Sequence, residues 1–462
     1  PDELVFQFGP YPIFVAEREG IHDVIPDEGM AINHTIAVAG SLEQWLDQIA
    51  RKLHGLAPKL TVLVALSSPL LPLLGESAGI FHLCGDSSTG KTVAAQVGAS
   101  VNGLAAEPGS GSPTQIQRWN STSNGLELLM VMNNGTTLVL DELGSFTGKF
   151  FAQTLYDIVS GMSKSRMDGE TFSMARQSAW VQNVLSTGEL TIVERIRQEK
   201  SPVMEGMLHR ALSIPVTAED SRAEGESIDA ARQRIGEVKT SLLSCYGIAG
   251  YEFISHLISI GDESGNYFDW ETTSDILKSE LDVLYDEMKQ RLHTSLITLN
   301  SVEHRALHRF AILYLTGVLA TDWGIIPWDK DDIADVVYES FNRWLKNYRE
   351  DARRKENILT AVQNFLAVNK VKFFDVRLPS LASHRADIAG YLLKDSSYLV
   401  LPAALEKLGE EWGLSAKKLA QLIAEEGYLI CPESDRLTAR KTVHKVNVTG
   451  YCISGAFTCA EF

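Results

Sequence analysis

The chain has 462 residues, 45% hydrophobic and 22% charged, with a formal net charge of −17. That length can bury several cores, and the composition reads as soluble and globular. The acidic balance excludes a protein coated in basic surface, so any nucleic-acid contact must be confined to a local patch or channel. Five scattered cysteines without a CxxC pair argue for a reducing, cytoplasmic compartment and against structural zinc. Eleven histidines without an HExxH or paired spacing give no metal site either.

Residues 1–40 read as short strands with turns: LVFQF, PIFVAE and INHTIAVAG. The opening PDELVFQFG has neither a charged region nor an apolar run of a secretory signal. Pro1 in place of methionine suggests that a natural beginning is missing. From Ser41, SLEQWLDQIARKLHGL has an N-cap serine, helical apolar spacing and a closing glycine. LTVLVALSSPLLPLLG is too short and too broken by serines and prolines to span a membrane, and reads as a buried helix hairpin. Over 80–216 the apolar runs IFHLC, TLVL, WVQNVL and ALSIPV alternate with helical stretches, the pattern of a buried parallel sheet. The polar segment TAEDSRAEGESIDAARQRIGE then opens a helical region. YREDARRKEN is either a linker or a solvated helix end, and the second is the commoner case. Helix-like and strand-like pieces follow in the order of a winged helix: ENILTAVQNFLAVN, SAKKLAQLIAEEGYLI and LTARKTVHKVNVTGYCI. The expected architecture is therefore α/β: an N-terminal β-rich segment (1–40), a phosphate-loop core with a β-hairpin insert (41–218), a helical region (219–350) and a winged-helix-like domain (351–462).

Between IFHLC and a helical stretch stands GDSSTGKT, a complete GxxxxGK[ST] pattern in the required strand-to-helix context. Gly85 and Gly90 allow the chain to curl around an anion. The backbone N–H groups of Asp86, Ser87, Ser88 and Thr89 would then point at phosphate oxygens, together with the N-terminus of the helix. Lys91 would reach the β and γ phosphates of ATP, and the Thr92 hydroxyl would ligate Mg2+. In TTLVLDELGS a buried strand ends in Asp141, suited to the magnesium shell, and Glu142, suited to activate water in line with the γ-phosphorus. In WVQNVLSTGEL another strand ends in Ser186 and Thr187, either of which could touch the γ-phosphate or its water; otherwise this is a plain turn. Arg210 precedes an expected edge strand, where it is either a solvated cation or a guanidinium offered to a neighbouring subunit's nucleotide. GMSKSRMDGETFSMARQSAW contains an Asp168-Gly169 turn between strand-like arms, so a hairpin bearing Lys164, Arg166 and Arg176 is the expected DNA contact. Lys417, Lys418, Arg440, Lys441 and Lys445 offer a second basic surface, and the tryptophans are expected mostly in cores.

The ordered series LLGESAGIFHLCGDSSTGKT, RWNSTSNGLELL, LVLDELG, YDIVSGMSKSR, WVQNVLSTGE, HRALSIPV, SCYGIAGYEF and RFAILYLTGVLAT resembles the domain of unknown function 927, whose better understood relatives are AAA+ replicative helicases akin to the minichromosome-maintenance class and are carried on mobile elements. The resemblance implies a hexameric ring that hydrolyses ATP with Mg2+ at subunit interfaces and moves along DNA. It places Lys91 and Thr92 in the Walker A loop, Asp141 and Glu142 in the Walker B pair, Ser186 and Thr187 at the first sensor, Arg210 at the finger, and a presensor hairpin over 164–179. Met162-Ser163 stands where the family often has Gln-Gly, and HRALSIPV lacks the glutamine-glutamate pair ahead of its arginine. Arg305 and Arg309 fall in the helical region where a second sensor could sit. The expected activity is an ATP-dependent DNA helicase. The alternatives are a nucleotide-switched oligomeric ATPase that remodels a protein partner or acts in phage defence, and, less well supported, a small-molecule kinase.

Overall fold

The computed structural model describes residues 6–8, 11–13, 33–148, 150–163, 177–199, 205–260, 270–378, 388–410, 412, 414–430, 436–444 and 446–460. The chain divides into two compact units, Pro1–Glu199 with Met204–Asn347, and Lys200–Val203 with Tyr348–Phe462. The helices over 228–322 share the first unit with the sheet.

At the start of the first unit, β1 (Phe6–Phe8) and β2 (Tyr11–Ile13) form an antiparallel pair. Among its described residues, INHTIAVAG contributes only an isolated bridge from Ala39 to Tyr246. The Ser41 capping box with Gln44 starts a helix at Leu42, which ends at Gln48 and gives way to a 3₁₀ turn over Ala50–Lys52. LTVLVALSSPLLPLLG forms two successive helices, Leu56–Ser67 and Leu70–Leu74, almost wholly buried.

Five parallel strands make the central sheet: β3 (Gly79–Cys84), β4 (Ile116–Arg118), β5 (Leu138–Asp141), β6 (Asn183–Gly188) and β7 (Ala211–Pro215). Their order is β4-β5-β6-β3-β7. β3, β5 and β6 are buried along their whole length, which explains why they read as continuous apolar runs rather than alternating ones. β4 was not expected, because three residues carry no periodicity. On one face, the helix Lys91–Asn102 lies close to the sheet at Gly98, where an added Cβ would stand 2.6 Å from Leu185. Phe81 meets Phe310 of the helix Ser301–Asp322 edge to face, ring centres 5.6 Å apart. Trp45, Trp119 and Trp180 are fully buried, as expected of core tryptophans.

YREDARRKEN lies inside one continuous helix, Lys330–Val368, and is therefore a helical stretch and not a linker. The second unit has a sheet of β8 (Phe373–Asp375), β9 (Gly390–Leu392), β10 (Tyr398–Val400), β11 (Ala439–Val443) and β12 (Val446–Ile453) in the order β11-β12-β10-β9-β8. All neighbours are antiparallel except β8 with β9. Helices Pro402–Glu410 and Ala416–Glu425 cover it, with Leu366, Leu405, Leu419, Ile423 and Phe457 in the core. No helix among the described residues is long and apolar enough to cross a membrane.

Candidate nucleotide site

GDSSTGKT forms the loop between β3 and the helix Lys91–Asn102, at the carboxyl edge of the sheet where ligands of open parallel sheets bind. Gly85 has φ +154°, and a Cβ there would lie 2.3 Å from the Val216 carbonyl oxygen, so no side chain is tolerated. Gly90 is left-handed at φ +87°. Asp86, Ser87 and Ser88 are exposed, while Thr89 and Lys91 are buried to 9% exposure. The Lys91 ammonium folds back on the loop, donating to Gly85 O at 2.8 Å, Asp86 O at 2.6 Å and Thr89 Oγ1 at 3.0 Å. Burial lowers its pKa, against the opposing pull of Glu189, Glu142 and Asp86. These three carboxylates therefore act electrostatically on the same cation, and a phosphate group would relieve its desolvation.

β5 and β6 are neighbours, with Leu140 opposite Ser186, and this register decides between the two hydroxyls. Successive strand residues point to opposite faces. Thr187 Oγ1 donates to Asp141 Oδ1 and accepts the Glu142 N–H at 3.1 Å, so it ties the acidic pair together. Ser186 faces the other way: its fully buried hydroxyl bonds His82 Nδ1 and accepts Trp119 Nε1–H, both at 2.8 Å. The sequence left the two open; of the two, Thr187 is the one joined to the Asp141 carboxylate and to the Glu142 backbone N–H. Glu142 is exposed and sits in the left-handed region at φ +60°, ψ +74°, unusual for a side chain with a Cβ. Thr92 follows Lys91 in the first turn of the helix, so the hydroxyl and the Asp141 carboxylate offer hard oxygen donors, the set that suits Mg2+.

Arg210 lies at the opposite, amino edge. Its carbonyl accepts Ile80 N–H at 2.6 Å just before β7, a strand that spans about 16 Å at roughly 3.3 Å per residue. It cannot serve the loop of its own chain. Around it are Arg309, Arg305, His209 and Glu76, a net positive group. Burial and the three arginines depress His209 to about 4, and burial with Arg210 lowers Arg309 to about 10. Arg210 Nε and His209 Nδ1 have no hydrogen-bond partner among the described residues. Arg309 donates to Ser77 O and Oγ at 3.1 and 2.9 Å. That placement, at the amino edge, removes Arg309 as a second sensor for its own loop.

Two groups near the loop were missed in the sequence reading. Glu189 follows Thr187 by two positions and, of the neighbouring charges, acts most strongly on Lys91; its signal was the glutamate that closes the Ser-Thr-Gly-Glu run of WVQNVLSTGEL. Arg343, from the helix Lys330–Val368, donates to Asp220 Oδ2 at 2.6 Å and to Pro215 O at 3.2 Å, at the carboxyl end of β7. No local pattern could have found it, because 128 positions separate Arg343 from Pro215. Beside the loop helix is a narrow cleft lined by Leu53, Val93, Val97 and Val238 with Ser221 and Arg234. Arg234 is locked there by Glu226, whose carboxyl it pulls down to about 2.

Of the expected hairpin, only the base is described: Met162 bridges Ala179 antiparallel, and Ser163 N donates to Ser178 O at 2.8 Å. Lys164, Arg166 and Arg176 lie outside the described residues, as does Lys445. Arg440 and Lys441 stand on β11, and Lys417 and Lys418 on the first turn of the helix Ala416–Glu425.

Fold and loop together define a mixed α/β protein with a five-stranded parallel sheet and a phosphate-loop motif at its carboxyl edge. The family "Domain of unknown function (DUF927)" matches residues 6–177, so the resemblance expected from the sequence is shown over that part of the chain. A solved structure, "SCCmec type IV Cch - active helicase", is similar to 92% of this chain and 72% of its own, with 18% identity and a TM-score of 0.53. At that identity the likeness is one of fold. "Structure of Drosophila ORC bound to DNA" aligns with 96% of this chain and 95% of its own at 9% identity, but its TM-score of 0.19 carries no argument. No curated protein matches the sequence.

Proposed function

We propose that this chain is an ATP-dependent DNA helicase or translocase of a mobile element, acting as an oligomeric ring. The observation that carries the reading is the latch Asp141–Thr187–Glu142 at the sheet edge that also bears the phosphate loop. Triphosphate hydrolysis needs a cradle, a cation, a metal ligand and a base within one small volume. The loop amides and Lys91 hold the phosphates, Thr92 and Asp141 would hold Mg2+, and Thr187 senses the γ-phosphate through the acidic pair. When bound, the metal ion neutralises charge on the phosphate oxygens. Glu142 takes the proton of the attacking water. The resemblance to a structure named as an active helicase supports coupling to DNA, and the helix, helix and β11–β12 hairpin order of the second unit supports a winged helix.

Arg210 completes a neighbour's site in this reading, because it stands a strand's length from its own loop. Arg210→Ala is expected to lower hydrolysis about 10³-fold while leaving nucleotide affinity within about threefold. Mixing Arg210→Ala with inactive Lys91→Ala subunits then restores part of the activity, since one interface regains both groups. No recovery on mixing would mean that the arginine does not act across subunits.

DNA coupling is tested on Lys164 and Arg166. Forked DNA is expected to stimulate hydrolysis, and the double alanine variant to lose that stimulation and strand displacement while keeping basal turnover. Unchanged stimulation would remove the hairpin from the DNA path. Hydrolysis with no displacement by the unmodified protein would favour a nucleotide-switched remodelling ATPase.

A further inference from the structure

We propose that His82, through a buried chain with Ser186 and Trp119, is a positioning residue that fixes the turn carrying Glu189 opposite Lys91. The inference rests on the hydrolytic reading above and adds to it residues that touch neither nucleotide nor water. His82 sits in the middle of β3, fully buried and in register with Ser186 of β6. Its Nε2 lies 2.8 Å from Leu190 O, which can only accept, so Nε2 carries the proton. Nδ1 is then the acceptor for the Ser186 hydroxyl, and the oxygen lone pair takes Trp119 Nε1–H. Every donor in the chain has one acceptor. Burial, with Lys91 adding a smaller push, depresses His82 to about 4, so the ring stays neutral at working pH.

The consequence lies in what the chain brackets. Gly188 and Glu189 are the only residues between Thr187, bonded to both members of the acidic pair, and Leu190, whose carbonyl His82 holds. Beyond Leu190 the segment is fixed again by the Thr191 capping box with Glu194 and by the Ile192 N–H on Ser213 Oγ at 3.0 Å. Gly188 is packed onto the same ring, since a Cβ there would stand 3.1 Å from His82 Cε1 and 2.8 Å from Leu143 Cβ. The two-residue span therefore has little freedom. Glu189, whose carboxylate raises the Lys91 pKa more than any other charge does, has no hydrogen bond or ion pair among the described residues and is aimed by this framing. Without the Leu190 anchor, the turn is free to shift and the carboxylate's electrostatic hold on the ammonium weakens.

The test compares His82→Phe, which keeps the ring and loses both hydrogen bonds, with His82→Gln, whose amide N–H reaches Leu190 O. His82→Phe is expected to lose about tenfold to 100-fold in kcat with KM within about twofold, because a small displacement of charge beside the reacting groups acts on the chemical step. His82→Gln restores most of kcat. Wild-type kcat in His82→Phe, a change confined to KM, or equal losses in both variants each overturn the inference. Should His82→Phe fail to fold, Ser186→Ala carries the test: it keeps the volume, frees the ring and is expected to lower kcat at least threefold, and wild-type kcat there overturns the inference. If the unmodified protein hydrolyses no nucleotide, the hydrolytic reading fails and not this one alone.

Discussion

Lys91→Ala abolishes nucleotide hydrolysis, lowering it by at least about 10²-fold to 10³-fold, the usual loss when one donor to developing charge is removed from a dry site. Lys91 is 9% exposed and makes all three of its described hydrogen bonds to the loop that carries it. An ammonium kept there loses hydration, which is why burial lowers its pKa, and only a phosphate partner turns that cost into binding. Alanine removes the charge but leaves Gly85 and Asp86 carbonyls close to solvent, where water replaces the lost donor. The melting temperature is therefore expected to change little while binding of a fluorescent ATP analogue is lost. Retained turnover in purified Lys91→Ala would show that the loop is not the reaction site.

Glu142→Gln is the second large effect, and it separates chemistry from binding. Glutamine keeps the size and the backbone but cannot accept the water proton, so kcat falls about 10²-fold to 10⁴-fold with nucleotide affinity preserved. The protein should accumulate in its nucleotide-bound, assembled form, which size-exclusion chromatography with ATP reads directly. The left-handed backbone at Glu142 sharpens the prediction. A residue with a Cβ held there costs about 1 to 2 kcal/mol, and Glu142→Gly removes that cost along with the carboxylate. Its expected phenotype is no hydrolysis with undiminished thermal stability, the mark of a strained functional position. An active Glu142→Gln enzyme would move the base to another carboxylate, with Glu189 the first to test.

The sites most legible in the sequence were those in which chemistry and local conformation share a few consecutive residues. GDSSTGKT encodes its own curl, its cation and a hydroxyl suited to a metal ion, and the structure places the lysine and the threonine at the start of the helix that follows the curl. The strand ending in Asp141 and Glu142 was equally plain, because a fully buried strand is a continuous apolar run. The three-residue strands β4, β8, β9 and β10 escaped, since so few residues show no period. INHTIAVAG had strand composition, but its described residues found only a single bridging partner.

What the sequence determined by itself was the inventory: which residues could hold a phosphate, a metal ion and a water, and that four apolar runs would join in one buried sheet. Tertiary structure decided the assignments between them. Strand pairing turned Thr187 toward the acidic pair and Ser186 toward His82 and Trp119, a choice that one residue of register would reverse. The strand direction of β7 put Arg210 at the far edge from its own loop, and a helix 128 positions downstream of Pro215 brought Arg343 to the near one. The physical reason is common to all three. Residue chemistry is local, whereas the direction in which a side chain points is set by hydrogen bonds to strands distant in sequence.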